Sequence, residues 1–388
     1  MTDSATQRIN LLGLPRTELT AFVAQLGSQP FRARQLMNWI YKRGTDSFAE
    51  MSDLAKDFRA RLALAAEVRV PEIAAAQRSA DGTRKWLLRA DAAQAFEMVF
   101  IPEPDRATLC ISSQVGCALD CSFCSTAQQG YNRNLTTAEI VGQVWLAARE
   151  LEREERESLG ADAPAGGAPE ERHVTNVVLM GMGEPLANFR NVVPALHILL
   201  DDFGFDLSRR RVTLSTSGLV PQIYRLAEET NVALAVSLHA PDDELRDRLV
   251  PINRQHPIAE LLEACWHYID EQNGRSVTFE YVMLEGVNDS PAQARAAGAL
   301  LRGHPAKVNL IPFNPWPGAP FECSSNAAIA AFSDIVFNAG YASPVRTPRG
   351  RDIMAACGQL VGRVIDRTVV RLGARVAAAT ARATGVSA

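Results

Sequence analysis

Residues 117–124 read Cys-Ala-Leu-Asp-Cys-Ser-Phe-Cys, which places three cysteines within eight positions. Thiolates this close together converge on one soft metal centre or iron–sulfur cluster. The spacing is Cys-x3-Cys-x2-Cys, and no fourth cysteine or histidine follows nearby. A structural zinc site has four ligands and is closed. Three thiolates therefore favour a four-iron cluster with one iron open to a small molecule. An incomplete zinc site, an electron-transfer cluster or a chance group of buried thiols would give the same pattern.

Outward from this loop, strand-like and helical segments alternate. The strand-like runs are 107–113, 174–180, 211–215, 232–238, 277–283 and 307–312. The helical segments are 136–151, 189–203, 219–229, 257–272, 292–302 and 325–339. Six such units predict a parallel sheet with right-handed crossovers, in an incomplete (β/α)6 barrel over 106–345. Thr136-x-x-Glu139 is a capping box that begins the first of these helices. The acidic segment 152–172 is expected to be a flexible insertion in a loop.

Two smaller units precede the predicted barrel. Apolar periodicity predicts a helical domain over residues 1–66. Its stretch 31–43 interleaves four bases, Arg32, Arg34, Lys42 and Arg43, with three aromatic residues. That pattern is typical either of a solvated basic helix face or of an RNA-contacting helix.

Residues 67–105 form the second unit, a small β extension in which Asp81-Gly82 predicts a hairpin turn. Glu97 interrupts a run that is apolar on both faces. Burial there would raise the pKa of its carboxyl group and let it exchange protons near neutrality. The alternative is an edge-strand glutamate that reaches solvent.

Polar residues follow the predicted strands, at the end where α/β barrels bind their ligands. After the second strand, Met180-Gly-Met-Gly-Glu-Pro185 combines two glycines, which allow close approach of the backbone, with Glu184 as an acceptor. Leu214-Ser-Thr-Ser-Gly218, Val236-Ser-Leu-His-Ala-Pro241 and Pro312-Phe-Asn-Pro-Trp316 follow later strands. Each alone could be a helix cap or a turn. Together with the cysteine loop they predict one binding rim, where His239 is expected to contact a ligand rather than a metal.

Composition limits the class of protein. The 388 residues are 47% apolar and 22% charged, which suits one large globular domain with appendages. We expect no signal peptide and no membrane span. The odd number of cysteines, seven, favours a reducing cytoplasm. Residues 150–172 hold eight acids and three bases, net −5, so a total of −4 leaves +1 on the rest of the chain. Basic clusters such as Arg209–Arg211 could therefore bind phosphates or form a solvated turn.

Four cysteines lie outside the loop. Cys265 is predicted to be core, and Cys323 lies in a proline-rich loop. Cys110 is on the first barrel strand. Cys357 follows an arginine- and glycine-rich stretch that we expect to open a C-terminal helix within 346–388. A helix N-terminus and neighbouring arginines would lower the pKa of the Cys357 thiol and make it reactive. A buried or idle cysteine is the alternative.

Taken together, the motifs resemble the RlmN family of radical S-adenosylmethionine (SAM) RNA methyltransferases. The resemblance runs from about residue 9 to 361, and its one clear departure is the insertion 152–172. It is carried by QAFEMVFIPEPDRATLCISSQVGCALDCSFCSTAQQGYNRNLT (94–136), VLMGMGEPL (178–186), RVTLSTSGLVP (211–221), AVSLHAP (235–241), VNLIPFNPW (308–316) and RTPRGRDIMAACGQL (346–360).

This resemblance implies a set of cofactors and site residues. Cys117, Cys121 and Cys124 would hold a 4Fe–4S cluster whose open iron is chelated by SAM. The predicted SAM contacts are Gly183, Glu184, Ser215, Ser237, Leu238, His239 and Asn314.

The resemblance also implies a mechanism. Cys357 would take a methyl group from one SAM, and a second SAM would yield a 5′-deoxyadenosyl radical that abstracts hydrogen from that methyl group. The resulting carbon radical would add to C2 of adenosine. Glu97 would accept the proton, and a transient Cys110–Cys357 disulfide would release the product.

The implied partners are 23S rRNA, tRNA next to the anticodon and a reductant such as flavodoxin, with the protein a monomer. Two alternatives remain open from the residues. One is a Cfr-type enzyme that methylates C8. The other is a non-catalytic iron–sulfur protein that binds RNA or senses redox state.

Overall fold

The computed structural model describes residues 8–159, 173–272 and 276–368. The N-terminal part is helical, as predicted, and its apolar positions meet in a buried core that includes Leu19, Phe22 and Leu62. A two-strand parallel ladder joins its beginning to its end. Its elements are β1 (Ile9–Asn10), α1 (Arg16–Gln25), α2 (Arg32–Met37), a π-helical turn (Asn38–Lys42), α3 (Lys56–Ala65) and β2 (Ala66–Glu67).

The centre of the molecule is one nine-stranded sheet in the order β13-β12-β11-β10-β9-β6-β5-β4-β3. Six strands of this sheet, β6 and β9 to β13, are mutually parallel, which confirms the predicted alternation. The β extension joins the same sheet, because β5 pairs antiparallel with β6. The strands are β3 (Ile73–Arg78), β4 (Arg84–Arg89), β5 (Ala95–Glu103), β6 (Arg106–Cys110), β9 (Asn176–Leu179), β10 (Val212–Thr216), β11 (Ala233–Ser237), β12 (Val277–Met283) and β13 (Ala306–Pro312), and β7 (Gln114–Gly116) pairs with β8 (Tyr131–Asn134) separately.

Local sequence signals account for several connections. The predicted hairpin joins β3 to β4 through Gly82, whose φ of +85° suits a residue without a side chain. The capping box is present: the amide of Glu139 donates to Thr136 Oγ1 at 3.2 Å, and the amide of Thr136 donates to Glu139 Oε2 at 2.8 Å. The helices are α4 (Ser125–Gln128), α5 (Thr137–Leu159), α6 (Phe189–Leu200), α7 (Val220–Glu229), α8 (Asp243–Leu249), α9 (Ile258–Glu271), α10 (Pro291–Leu300) and α11 (Asn326–Asn338).

Helix α5 is longer than predicted. It continues to Leu159, eight residues into the segment expected to be a flexible insertion. Arg153 pairs with Glu150 and Glu157 at 2.8 and 2.6 Å, three and four residues away. Such pairs stabilise a helix, so this part of the charge run belongs to a helix face. Glu154 also accepts from Arg84 of β4 at 2.8 Å. Residues 160–172 lie outside the described residues.

The helix expected after Cys357 is absent from the described part of the C-terminal segment. Between residues 346 and 368 the regular structure is a short 3-10 helix, Arg351–Ile353. Left-handed backbone at Gly350, Met354 and Gly358, with φ of +60°, +51° and +80°, interrupts helical geometry. Residues 369–388 lie outside the described residues.

The C-terminal segment crosses the carboxyl ends of the sheet. Residues 342 and 345 bridge to β13, and Arg363 exchanges two 3.0 Å backbone hydrogen bonds with Ala95 of β5. The Cys357 loop therefore lies between a contact to β13 and a contact to β5. No helix in the described ranges has the length and apolar character needed to cross a membrane.

Candidate active site

The three clustered cysteines line a cavity of about 150 Å³ at the carboxyl ends of the parallel strands, which we name the inner cavity. Local hydrogen bonds shape their loop: the Cys117 amide donates to Gly130 O at 2.8 Å, and the Cys124 amide donates to Cys121 O at 3.1 Å. Burial raises the pKa of each thiol. A bound metal centre would supply the positive charge that keeps such thiols deprotonated.

The donor set fits an iron–sulfur cluster better than a single ion. Within the described residues, no group of three or more His, Cys, Asp or Glu side chains has the geometry to hold one metal ion. The thiolates of an iron–sulfur cluster bind separate irons, so three cysteines can face one cavity without meeting at a point. Three thiolates are also one ligand short of a closed structural zinc site, so the donor chemistry favours the cluster.

Most of the predicted SAM contacts share this cavity. Gly183, Ser215, Ser237 and His239 line it with Glu184 and Asn314. Leu238 does not: its side chain is in the hydrophobic core, and its carbonyl accepts from a buried arginine. Strand alternation explains this, since neighbouring residues at the end of β11 point to opposite sides.

Two acceptors in the inner cavity suit a ligand that carries N–H or O–H groups. Glu184 accepts from the amides of Ser217 and Leu186 at 2.8 and 3.0 Å, and burial raises the pKa of its carboxyl group to about 6. Asn314 Oδ1 is buried and has no hydrogen-bond partner among the described residues. A buried orphan acceptor is costly unless a ligand supplies a donor. The amino, hydroxyl and adenine groups of SAM would do so.

His239 is held as a neutral ring. Its Nδ1 accepts from the Val282 amide at 3.0 Å, and burial lowers its pKa to about 3. The ring lies edge-on to Phe123, 4.6 Å between centroids. Its φ of +58° is uncommon for a residue other than glycine. These contacts agree with a ligand-facing role.

Sequence reasoning missed Arg246, whose side chain binds backbone carbonyls at the ends of β10 and β11. This fully buried guanidinium donates to Ser217 O and Ser237 O, each at 2.8 Å, and to Leu238 O at 3.1 Å. Burial lowers its pKa to about 10, so it stays cationic at neutral pH. The available signal was a basic residue between Leu245 and Leu249, on the apolar side of α8.

Cys357 lies on the walls of two cavities. It lines the inner cavity and also an outer cavity of about 500 Å³, which Cys110 lines as well. The guanidinium of Arg346 is 3.1 Å from Cys357 Sγ, and the charge of Cys357 raises the pKa of Arg346. Burial, followed by the charge of Cys357, raises the pKa of Cys110 to about 12. The structure thus brings together two thiols 247 residues apart in sequence.

Glu97 is buried in the sheet interior beside the Cys357 loop. Its Oε1 is 3.1 Å from Lys85 Nζ, and its Oε2 accepts from the Val361 amide at 2.9 Å. Burial raises the pKa of Glu97 and outweighs the opposing effect of Lys85, which confirms the predicted shift. The edge-strand alternative is wrong, because β5 lies between β4 and β6. Glu97 is not among the residues that line either cavity.

The remaining predicted residues divide into two groups. In the N-terminal part, Arg34 lies over the Phe203 ring, Lys42 Nζ is 3.7 Å from Asp206, and Arg43 lies over Trp39. Arg32 bonds to Gln35 and to the Asp53 carbonyl. By contrast, Arg210 lines the outer cavity, together with Arg106 and Arg349. Cys265 is core, as predicted, and Cys323 is half-buried.

Comparison with known proteins places the chain in a family. Residues 9–68 match the model of the ribosomal RNA large subunit methyltransferase N-terminal domain, and residues 111–296 match the radical SAM superfamily. A crystal structure of a radical SAM methyltransferase from Sphaerobacter thermophilus is 44% identical, with a TM-score of 0.81 over 91% of this chain and 99% of that one. This chain belongs to the RlmN family. It is a radical SAM methyltransferase.

Family membership supplies the occupants of the inner cavity. An RlmN-family enzyme uses a 4Fe–4S cluster and SAM, and the three-cysteine loop and the orphan acceptor of Asn314 fit them. Two further similarities are distant. A domain of pyruvate-formate lyase-activating enzyme from Bacteroides vulgatus is 16% identical, with a TM-score of 0.31 over 44% of this chain and 99% of that one. TYW1 with a lysine-pyruvate adduct bound is 14% identical, with a TM-score of 0.36 over 60% and 72%.

Proposed function

We propose that this enzyme methylates C2 of an adenosine in 23S rRNA and of the adenosine next to the anticodon in tRNA. The observation that carries the proposal is the position of Cys357, which lines both the inner and the outer cavity. A thiol in that position can receive a methyl group on one side and present it to a base on the other. C2 of adenine is an electron-poor carbon, so direct transfer from SAM to it would fail.

The proposed roles divide between the cofactors and the chain. When bound, the cluster and SAM supply an electron, the methyl group and a 5′-deoxyadenosyl radical. Cys117, Cys121 and Cys124 would hold the cluster, and the rim around Glu184 and Asn314 would hold SAM. The guanidinium of Arg346, 3.1 Å from Cys357 Sγ, would hold the sulfur in place to accept the methyl group.

Three side chains of the enzyme would complete the reaction. Cys357 carries the methyl carbon as a thioether and becomes bonded through it to C2 of the base. Glu97 takes the proton that leaves C2. Cys110 attacks the Cys357 sulfur, and the sulfur–carbon bond breaks as the disulfide forms. The freed methylene carbon takes up a proton to become the methyl group, and the unpaired electron of the adduct would pass to the bound cluster as the methylated base is released. A reducing cytoplasm would return both thiols.

The outer cavity suits an extruded nucleotide. Its volume of about 500 Å³ lies within the range of ligand pockets. Arg106, Arg210 and Arg349 on its wall supply positive charge for phosphates. An enzyme that modifies a ring carbon must take the base out of its stack. We further propose a cytoplasmic monomer reduced by a flavodoxin.

The test is anaerobic methylation of 23S rRNA and tRNA with SAM and a reductant, followed by digestion and identification of the nucleoside. We expect 2-methyladenosine. An 8-methyladenosine product would replace the C2 assignment with C8. RNA binding without any consumption of SAM would instead support a non-catalytic protein. Cys357→Ala is the matched control and should yield neither methylated nucleoside.

A further inference from the structure

Both ends of the Cys357 loop are tied to one buried ion pair. Lys85 Nζ donates to Met354 O at 3.3 Å, three residues before Cys357. The Val361 amide donates to Glu97 Oε2 at 2.9 Å, four residues after it. Lys85 and Glu97 are themselves 3.1 Å apart. The segment 354–361 therefore spans the ion pair with the methyl-carrying cysteine between its two attachments.

The sheet places the two charges side by side. In the antiparallel ladder of β4 and β5, Leu87 opposes Glu97 and Lys85 opposes Val99. Lys85 and Glu97 are thus diagonal neighbours on one face, within reach of each other. Their side chains are only 9% and 7% exposed. A buried ion pair is stable only when further hydrogen bonds satisfy its remaining atoms. Here the loop backbone supplies them.

The loop depends on such attachments because its own geometry is unfavourable. Met354 has a φ of +51°, a left-handed conformation that costs energy for a residue with a side chain. The lysine contact is made to the carbonyl of this same residue. On the other side of Cys357, the side chain of Gln359 donates to Pro315 O at 2.6 Å. External contacts therefore hold the loop between the two cavities.

The geometry points to Lys85 as a positioning residue that acts through Glu97 and holds the Cys357 loop between the inner and outer cavities. Replacing either member of the pair with an apolar residue removes one attachment and leaves a buried charge without its partner. The consequence for catalysis rests on the proposed function, in which Glu97 takes a proton. Proton uptake would neutralise Glu97 and loosen the loop at the stage when Cys357 must approach Cys110.

Hydrogen exchange of the cluster-loaded, SAM-bound enzyme without RNA tests the attachment directly. We expect exchange of the amides in 354–361 to rise about tenfold in Lys85→Met and in Glu97→Leu, since each loses a loop contact. Lys85→Arg keeps a cationic donor and should stay within about twofold of wild type. Lys307→Met is the matched control, because Lys307 is exposed on β13.

Unchanged exchange of 354–361 in Lys85→Met would overturn the proposal, and so would an equal increase in Lys307→Met. The peptide covering β12 reports global unfolding. If it also exchanges faster in Lys85→Met, Lys85→Gln replaces that variant and the same criterion applies. The measurement uses no RNA, so it stands apart from the C2 assignment. If the loop is released as expected but no RNA is methylated by wild type, the proposed function fails and the positioning role remains.

Discussion

The loop 117–124 and the Cys357 loop both bring thiols to the inner cavity, but they are held in different ways. The first has short-range bonds, such as that from the Cys124 amide to Cys121 O, beside two distant ones, from the Ser122 amide to Leu249 O and from Trp316 Nε1 to Phe123 O. The second is held by distant groups: Lys85, Glu97 and Pro315 contact it from more than 40 residues away. The spacing of the three cysteines is therefore encoded locally, whereas the position of Cys357 is a property of the whole fold.

The two loops also meet. The amide of Ser125, which begins α4, donates to Gly358 O at 2.9 Å, and Thr126 Oγ1 donates to Leu360 O at 2.8 Å. Damage to the loop 117–124 should consequently spread to the Cys357 loop. Substitution of the Cys357 side chain should leave cluster binding intact, because the contacts to α4 are made by the backbone carbonyls of Gly358 and Leu360. This asymmetry can be tested.

The largest effect is expected from loss of a cluster ligand. Cys121→Ala removes one of three thiolates, so it should abolish iron binding and methylation together. Iron and sulfide content after anaerobic reconstitution measures the first, and the nucleoside assay measures the second. Cys323→Ala, which lines neither cavity, is the matched control and should keep both. Full iron content in Cys121→Ala would refute its role as a ligand.

Cys357→Ala should distinguish the role of the Cys357 loop from that of the loop 117–124. The cluster ligands are untouched, so iron content should equal that of wild type, while methylation should fall below detection. In Cys110→Ala, by contrast, Cys357 remains but the proposed disulfide cannot form, so a covalent protein–RNA adduct should accumulate on denaturing gels. Retained methylation in Cys357→Ala would show that the methyl group takes another route.

Arg246→Met should lower the stability of the fold around the inner cavity. Ser217 O, Ser237 O and Leu238 O would lose their buried donor, and we expect a loss of about 3 kcal/mol in the free energy of unfolding. Denaturant unfolding of the wild type and the variant measures it. Arg248→Met, at an exposed position of the same helix, should change stability by less than about 0.5 kcal/mol. Equal losses would show that the buried position is unimportant.

The smallest effect concerns pH. Burial raises the pKa of Glu97, so the carboxylate that the proposed mechanism uses as a base forms only as pH rises through that raised value. Methylation should increase over the same range. Lys85→Met removes the influence that lowers this pKa, so the acid limb of the rate profile should move to higher pH, whereas Lys85→Arg should stay near wild type. If the acid limb does not move in Lys85→Met, the ionisation of Glu97 does not limit the rate of methylation.

The same raised pKa has a consequence for stability. The protonated carboxyl group is favoured in the folded enzyme, so the stability that Glu97 contributes is present at acid pH and lost as pH rises through its folded pKa. We would measure the free energy of unfolding of wild type and of Glu97→Gln across this pH range. The stability of wild type relative to Glu97→Gln should fall as the pH rises.

Prediction from sequence succeeded where the signal was local. The capping box at Thr136, the hairpin at Gly82 and the six strand–helix units each depend on residues a few positions apart. It failed where a charge run had two meanings, since acids and bases spaced three and four apart support helix α5 as far as Leu159. Around Cys357, left-handed backbone at Met354 and Gly358 interrupts helical geometry, and the helix expected within 346–388 is absent from the described residues up to 368.

The sequence by itself determined the chemistry of this protein. Three cysteines within eight residues and polar loops after four further strands indicate a cluster and a binding rim, because both follow from spacing along one chain. Only the tertiary structure decided which groups act on Cys357. Arg346, Cys110 and the Lys85–Glu97 pair reach it through sheet register and through burial, which strengthens contacts between charges and makes unpaired ones costly. Neither register nor burial can be read from spacing alone.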